Sequence, residues 1–139
     1  PARQMKKIGL DPDQYMRPIE EVYNFPIGWS LREEVEIDGV LYHHGHTACG
    51  VNGFRNDSKA RFRSTVTGHA HGNSGVSYTA VDRALVYGCA VGCGIDNRSM
   101  AFAYGKGFKN KPIISCAVIK ENGLLPQVFP MGLGDVGRQ

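Results

Sequence analysis

The sequence predicts an α/β fold with helices flanking a sheet. Three observations carry it: apolar positions at helical spacing over residues 12–23, a strand pair about Asp38-Gly39, and a series of short β-rich segments from Ser64 to Phe129. With 139 residues, 42% of them hydrophobic, the chain is long enough for one domain with a core and short for two. Residues 1–131 are therefore expected to form one unit. The tail from Gly132 to Gln139 has too little apolar content to pack and is expected to be flexible.

Each element has its own local reason. Asp11-Pro12-Asp13 is a helix opening, an acidic cap with proline in the first turn, and Tyr15, Ile19, Val22 and Tyr23 follow on one face. Glu34-Val35-Glu36-Ile37 alternates as a strand does, Asp38-Gly39 is a two-residue hairpin turn, and Val40-Leu41-Tyr42-His43 returns. Asn52 to Arg63 is polar and basic with Phe54, Ala60 and Phe62 as apolar positions, which predicts a helix or helical turn. Ser64 to Thr67 is β-rich. Further strands are predicted over Val76 to Thr79, Ala84 to Tyr87, Met100 to Tyr104, Ile113 to Ile119 and Leu124 to Phe129, with turns at Val81-Asp82-Arg83 and Glu121-Asn122-Gly123. Trp29, Tyr23 and Phe25 near Pro26 are expected to anchor the core and its turns.

Composition removes several classes of function. The formal charge of +3 arises from 16 basic and 13 acidic residues that are interspersed, so no stripe marks a nucleic-acid surface, and the cluster from Arg55 to Arg63 fits a solvated helix face. No apolar run approaches the roughly 18 residues of a membrane span, and no charged-then-apolar leader opens the chain. A cytoplasmic protein is the expectation. Cys49, Cys89, Cys93 and Cys116 are then expected to be reduced thiols.

All five histidines lie between His43 and His71, as His43-His44-Gly45-His46 and Gly68-His69-Ala70-His71-Gly72. Imidazole is a ligand for divalent metals and an acid or base near neutral pH, so the crowding points to a metal or catalytic site. In an extended segment His69 and His71 face the same side, and the glycines around them admit close approach. His43 and His44 are adjacent and, while extended, point to opposite sides, so at most one of them shares that pocket. His44, which precedes Gly45 at the strand end, is assigned to it.

The order of these motifs resembles the second half of calcineurin-like metallophosphoesterases of the phage and bacterial type. In that family a histidine before glycine and a later G-H-x-H supply ligands to a two-metal centre. The segments Val91-Gly92-Cys93-Gly94-Ile95-Asp96 and Ala101-Phe102-Ala103-Tyr104-Gly105 and the closing hairpin are similar too. The resemblance implies half of a β-sandwich flanked by helices. It also implies that His44 and His69 bind one divalent ion and His71 a second, the ions being manganese, iron, zinc or magnesium, with a phosphoester as substrate.

The chain departs from the pattern in one respect. The family's D-x-H, G-D-x-x-D and G-N-H-D motifs are absent; Gly134-Asp135 lacks the second Asp, and Gly72-Asn73 is followed by Ser74. Pro1-Ala2-Arg3-Gln4 is similar to the sequence that follows G-N-H-D in full-length members. A two-metal centre holds its ions about 3.5–4 Å apart with an anionic bridge, which three neutral imidazoles cannot provide. The expected partner is thus an N-terminal half of the domain, or another subunit, that carries those carboxylates. Asp82 and Asp96 sit in turn contexts and are expected to cap rather than ligate.

Other readings rest on other residues. Cys89-Ala90-Val91-Gly92-Cys93 with the histidines would make a mononuclear zinc site, and Cys49 with His44 or His46 a thiol hydrolase. A non-catalytic structural or assembly module derived from the phosphoesterase half is a further alternative. Arg98 and Lys106 are candidates to meet a substrate phosphate. Gly92-Cys93-Gly94 does not follow the phosphate-loop pattern.

Overall fold

A computed structural model describes residues 2–48, 50–95, 107 and 111–131. The predicted strand from Met100 to Tyr104, the predicted flexible tail, and Cys49, Asp96, Arg98 and Lys106 lie outside the described residues. The chain divides into two compact units, Pro1–Arg32 and Glu33–Gln139. Among the described residues no helix is long and apolar enough to cross a membrane.

The first unit is built of short helices, α1 (Ala2–Lys7), α2 (Pro12–Tyr15) and α3 (Ile19–Val22). The single helix expected over residues 12–23 is broken in two. Pro18 is the reason: it has no amide hydrogen to continue α2, and its carbonyl instead accepts the amides of Glu21 and Val22 to start α3. Tyr23 and Trp29, expected in the core, are 71% and 70% exposed and touch Phe25 at ring-centroid distances of 6.5 and 6.4 Å.

The second unit is mixed α/β. Strands β1 (Glu34–Ile37), β2 (Val40–His43), β3 (Thr65–Thr67), β4 (Ser74–Val81) and β5 (Ala84–Val91) form one sheet in the order β1-β2-β3-β5-β4, and β6 (Ser115–Lys120) and β7 (Leu125–Pro130) form a second of two strands. The pairs β2/β3 and β3/β5 are parallel, while β1/β2 and β4/β5 are antiparallel hairpins. Asp38 and Gly39 both take positive φ, 51° and 73°, as the tight two-residue hairpin requires.

Helix α4 (Gly53–Arg61) links β2 to β3 and covers one face of the large sheet. Its last turn carries Lys59 and Arg61, favourable against the helix dipole. Phe62 then adopts a left-handed conformation, and the amides of Phe62 and Arg63 donate to the carbonyls of Lys59 and Ser58 to close the end. Close approach of α4 to β5 depends on Gly88, where an added Cβ would strike the Phe54 carbonyl.

The opposite face holds the core. Val40, Val66, Tyr87 and Cys89 are buried there, with Tyr42, Val76, Val91 and, from the small sheet, Ala117, Ile119 and Val128 packed against them. The Tyr87 hydroxyl donates to the Gly123 carbonyl at 2.8 Å, which satisfies a buried polar group and ties the β6/β7 turn to β5. Register decides which residues share a face. Leu41, Thr65 and Gly88 lie side by side toward α4, and Tyr42, Val66 and Cys89 lie side by side toward the core.

Candidate metal site

Strands β2, β3 and β5 run parallel, so their carboxyl ends meet at one edge of the sheet, the edge at which open α/β sheets bind ligands. Both histidine groups emerge there. His43 is the last residue of β2 and is followed by the His44-Gly45-His46 loop; Thr67 ends β3 and is followed by the loop of His69 and His71.

The two loops are tied together by hydrogen bonds. The Gly68 amide donates to the His44 carbonyl at 3.2 Å and the Asn73 side-chain amide to the carbonyls of Gly50 and Val51, while within the first loop the Ala48 amide donates to the Gly45 carbonyl at 2.9 Å. Gly45 has φ of 97°, and a Cβ there would lie 3.1 Å from that of Thr67 and 3.2 Å from that of His69. Only glycine combines that dihedral with so close a neighbour.

Three imidazoles converge as a result. His44, His46 and His69 each offer one ring nitrogen within 4.8 Å of the others, and all three residues are exposed to solvent. His44 Nε2 and His69 Nδ1 are 3.1 Å apart, a hydrogen bond in which one of the two nitrogens carries the proton. Ring centroids are 4.8 Å apart for His44 and His46 and 5.7 Å for His46 and His69. Partial burial, and then the neighbouring His46, His69, His71 and His43, hold the His44 pKa below its ordinary value. This favours the neutral imidazole, the form that ligates.

The donor set could hold a metal ion. Tetrahedral zinc with nitrogen ligands near 2.05 Å places adjacent donors about 3.3 Å apart, close to the His44 to His69 separation, while the His46 nitrogen lies within 4.8 Å of the other two. Among the described residues, no cysteine or carboxylate belongs to the group.

Of the residues expected from sequence, His44 and His69 meet, and His46 joins them. His46 was not among the expected ligands; its signal was its place two residues from His44 across a glycine that can turn. His71 is not one of the three. The extended geometry expected for Gly68-His69-Ala70-His71 is replaced by a turn, with the His71 amide donating to the His69 carbonyl at 3.1 Å and the His71 carbonyl accepting the Ile113 amide at 2.9 Å. Alternation of side chains therefore does not apply across this motif, although His71 is near enough to act electrostatically on His44. His43 points away as expected, toward α4, where its Nε2 meets the Asp57 carboxylate at 2.8 Å. Asp82 lies in the β4/β5 turn, at the far end of the hairpin from Val91 and the histidine loops.

The cysteine alternatives fare differently. Cys89 is fully buried in the core, and burial pushes its thiol up to about 11. Cys93 is buried, and its sulfur accepts the Ile95 amide. Neither sulfur belongs to the histidine group. Alkylation at pH 8 with mass-spectrometric mapping is expected to label exposed Cys116, while Cys89, buried and with its thiol pushed up, reacts slower by roughly tenfold or more. Comparable labelling of the two would contradict the buried placement of Cys89. Comparison with family models, curated proteins and solved structures finds no match to this chain.

Proposed function

We propose that this chain binds a divalent transition-metal ion through His44, His46 and His69, and that the ion serves phosphoester hydrolysis in a two-metal centre whose bridging carboxylates come from a second polypeptide segment or subunit. The single observation that carries the reading is the convergence of imidazole nitrogens from two loops at the carboxyl ends of adjacent parallel strands. Solvent exposure leaves room for further ligands and for a substrate. The resemblance of His44-Gly45 and Gly68-His69-Ala70-His71 to the phosphoesterase motifs supplies the reaction class.

In this reading the chain's own groups hold and orient. His44 and His69 are fixed by the bond between their loops, and His46 lies on the same turn as His44. His71 is the candidate ligand for the second ion. Bound there, the metal supplies Lewis-acid activation of phosphate and water. Imidazole donors favour zinc or iron over magnesium. The lack of a carboxylate in the described group also supports a narrower reading, a metal-binding module without hydrolysis of its own.

Calorimetric titration with Zn²⁺ and Co²⁺ tests the metal, and Mn²⁺-dependent hydrolysis of bis(p-nitrophenyl) phosphate tests the reaction. Wild type is expected to bind one ion, and His44→Ala and His69→Ala are each expected to lose more than about 100-fold in affinity, beyond what removal of an outer partner costs. Hydrolysis is expected to be slight alone and to rise with a polypeptide bearing D-x-H, G-D-x-x-D and G-N-H-D. Failure to bind either ion defeats the metal reading. Fast hydrolysis by the isolated chain, lost in His69→Ala, defeats the need for a second segment.

A further inference from the structure

We propose that Asp57, on α4, is a positioning residue that clasps the His44-Gly45-His46 loop in ligating geometry; the inference rests on the metal reading above. Its carboxylate takes hydrogen bonds from both sides of that loop. His43 Nε2 donates to Oδ2 at 2.8 Å, and the Thr47 hydroxyl donates to Oδ1 at 3.3 Å. Residues 43 and 47 bracket the three residues between them, so one side chain fixes both ends of the turn. Arg61 Nε donates to the same Oδ1 at 3.1 Å and is itself held by Glu34, which anchors the carboxylate to helix and sheet.

Burial makes a positioning role the better account. The side chains of Asp57 and His43 are each only 5% exposed. A carboxylate in such a place carries a large desolvation cost, and apolar residues of similar volume often serve stability as well or better. What an apolar residue cannot do is accept hydrogen bonds from positions 43 and 47 together. The His44 carbonyl accepts the Gly68 amide and the Gly45 carbonyl accepts the Ala48 amide, so a loop fixed at both ends sets His44 against His69 as well. His43 is thereby kept on the α4 side, out of the ligand group.

Loss of a group that holds a metal ligand directly costs about 10–100-fold in affinity, which bounds the effect for Asp57, since it acts on His44 and His46 through the loop between its partners His43 and Thr47. The test uses Thr47→Val, which removes one hydroxyl from an exposed residue and keeps the side-chain shape, and Asp57→Asn, with Glu36→Gln in an exposed ion pair as control. Four quantities are read: Co²⁺ affinity, the Co²⁺ d–d spectrum, apo-state amide exchange at Ala48 and Gly68, and Tm.

Thr47→Val is expected to weaken Co²⁺ about 3–10-fold, with faster exchange at Ala48 and a Tm within about 2 °C of wild type. Asp57→Asn is expected to lose about 10–100-fold with an altered spectrum, and Glu36→Gln to match wild type. Folded variants that keep wild-type affinity, spectrum and exchange, even with lowered Tm, overturn the positioning role. If Asp57→Asn does not fold, Thr47→Val decides alone. Absence of Co²⁺ binding by wild type overturns the metal reading and this role with it, whereas binding that both variants retain overturns this role only.

Discussion

Gly88→Ala is expected to destabilise the second unit by about 3 kcal/mol or more, the upper range for forcing volume into a packed site. The added methyl would strike the Phe54 carbonyl and lie 3.1 Å from Ser58 Oγ. Neither neighbour can yield cheaply, because Phe54 is backbone in the first turn of α4 and Ser58 is fully buried with its hydroxyl donating to the Arg55 carbonyl. To relieve the contact the helix must lift from β5, which opens that face of the sheet. Urea unfolding measures the effect, and Gly94→Ala, where a Cβ meets nothing within 4 Å among the described residues, is the control and is expected to stay within about 0.5 kcal/mol. A Gly88→Ala loss as small as the control's would mean that α4 does not sit on β5 as described.

Asp57→Ala has the second large expected effect, about 2–3 kcal/mol, the upper range for leaving a buried hydrogen-bond donor without its acceptor. It strands the His43 N–H beneath α4 and takes from the Arg61 guanidinium its buried partner, leaving Glu34. The contrast is Glu36→Ala, which breaks a pair with Arg63 whose side chains are about half exposed, and is expected to cost less than about 1 kcal/mol. A double-mutant cycle between Asp57→Ala and His43→Ala measures the coupling directly. A coupling near zero would show that the pair is solvated and that the packing of α4 does not depend on it.

Local chemistry made much of the second unit legible. Strands β1 and β2 match the expected segments residue for residue, since Asp38-Gly39 supplies the positive φ values that a two-residue turn needs, although β1 is exposed along its whole length. The helix over 52–63 appears as α4, and the divergence of His43 and His44 appears as the split between the Asp57 contact and the metal group. Other features were not legible. The second half of β5, Gly88-Cys89-Ala90-Val91, has poor strand character, and it is a strand because β3 and β4 pair with it on either side. The turn at His69 to His71 arises where the chain must leave the sheet for β4, so strand periodicity stops at Thr67, four residues short of the His71 to which the motif extended it.

By itself the sequence determined that this chain carries an α/β unit with its histidines at strand ends, because hairpin turns, alternation and the crowding of imidazoles are properties of neighbouring residues. Only the tertiary structure decided which histidines meet. The parallel pairing of β2 with β3, closed over by α4, brings His69 against His44 across 25 residues of chain, and a glycine at Gly45 lets His46 turn in beside them. The same packing places Asp57 beneath that loop. Pairings between distant residues are set by burial and register across the whole sheet, and no local pattern contains them.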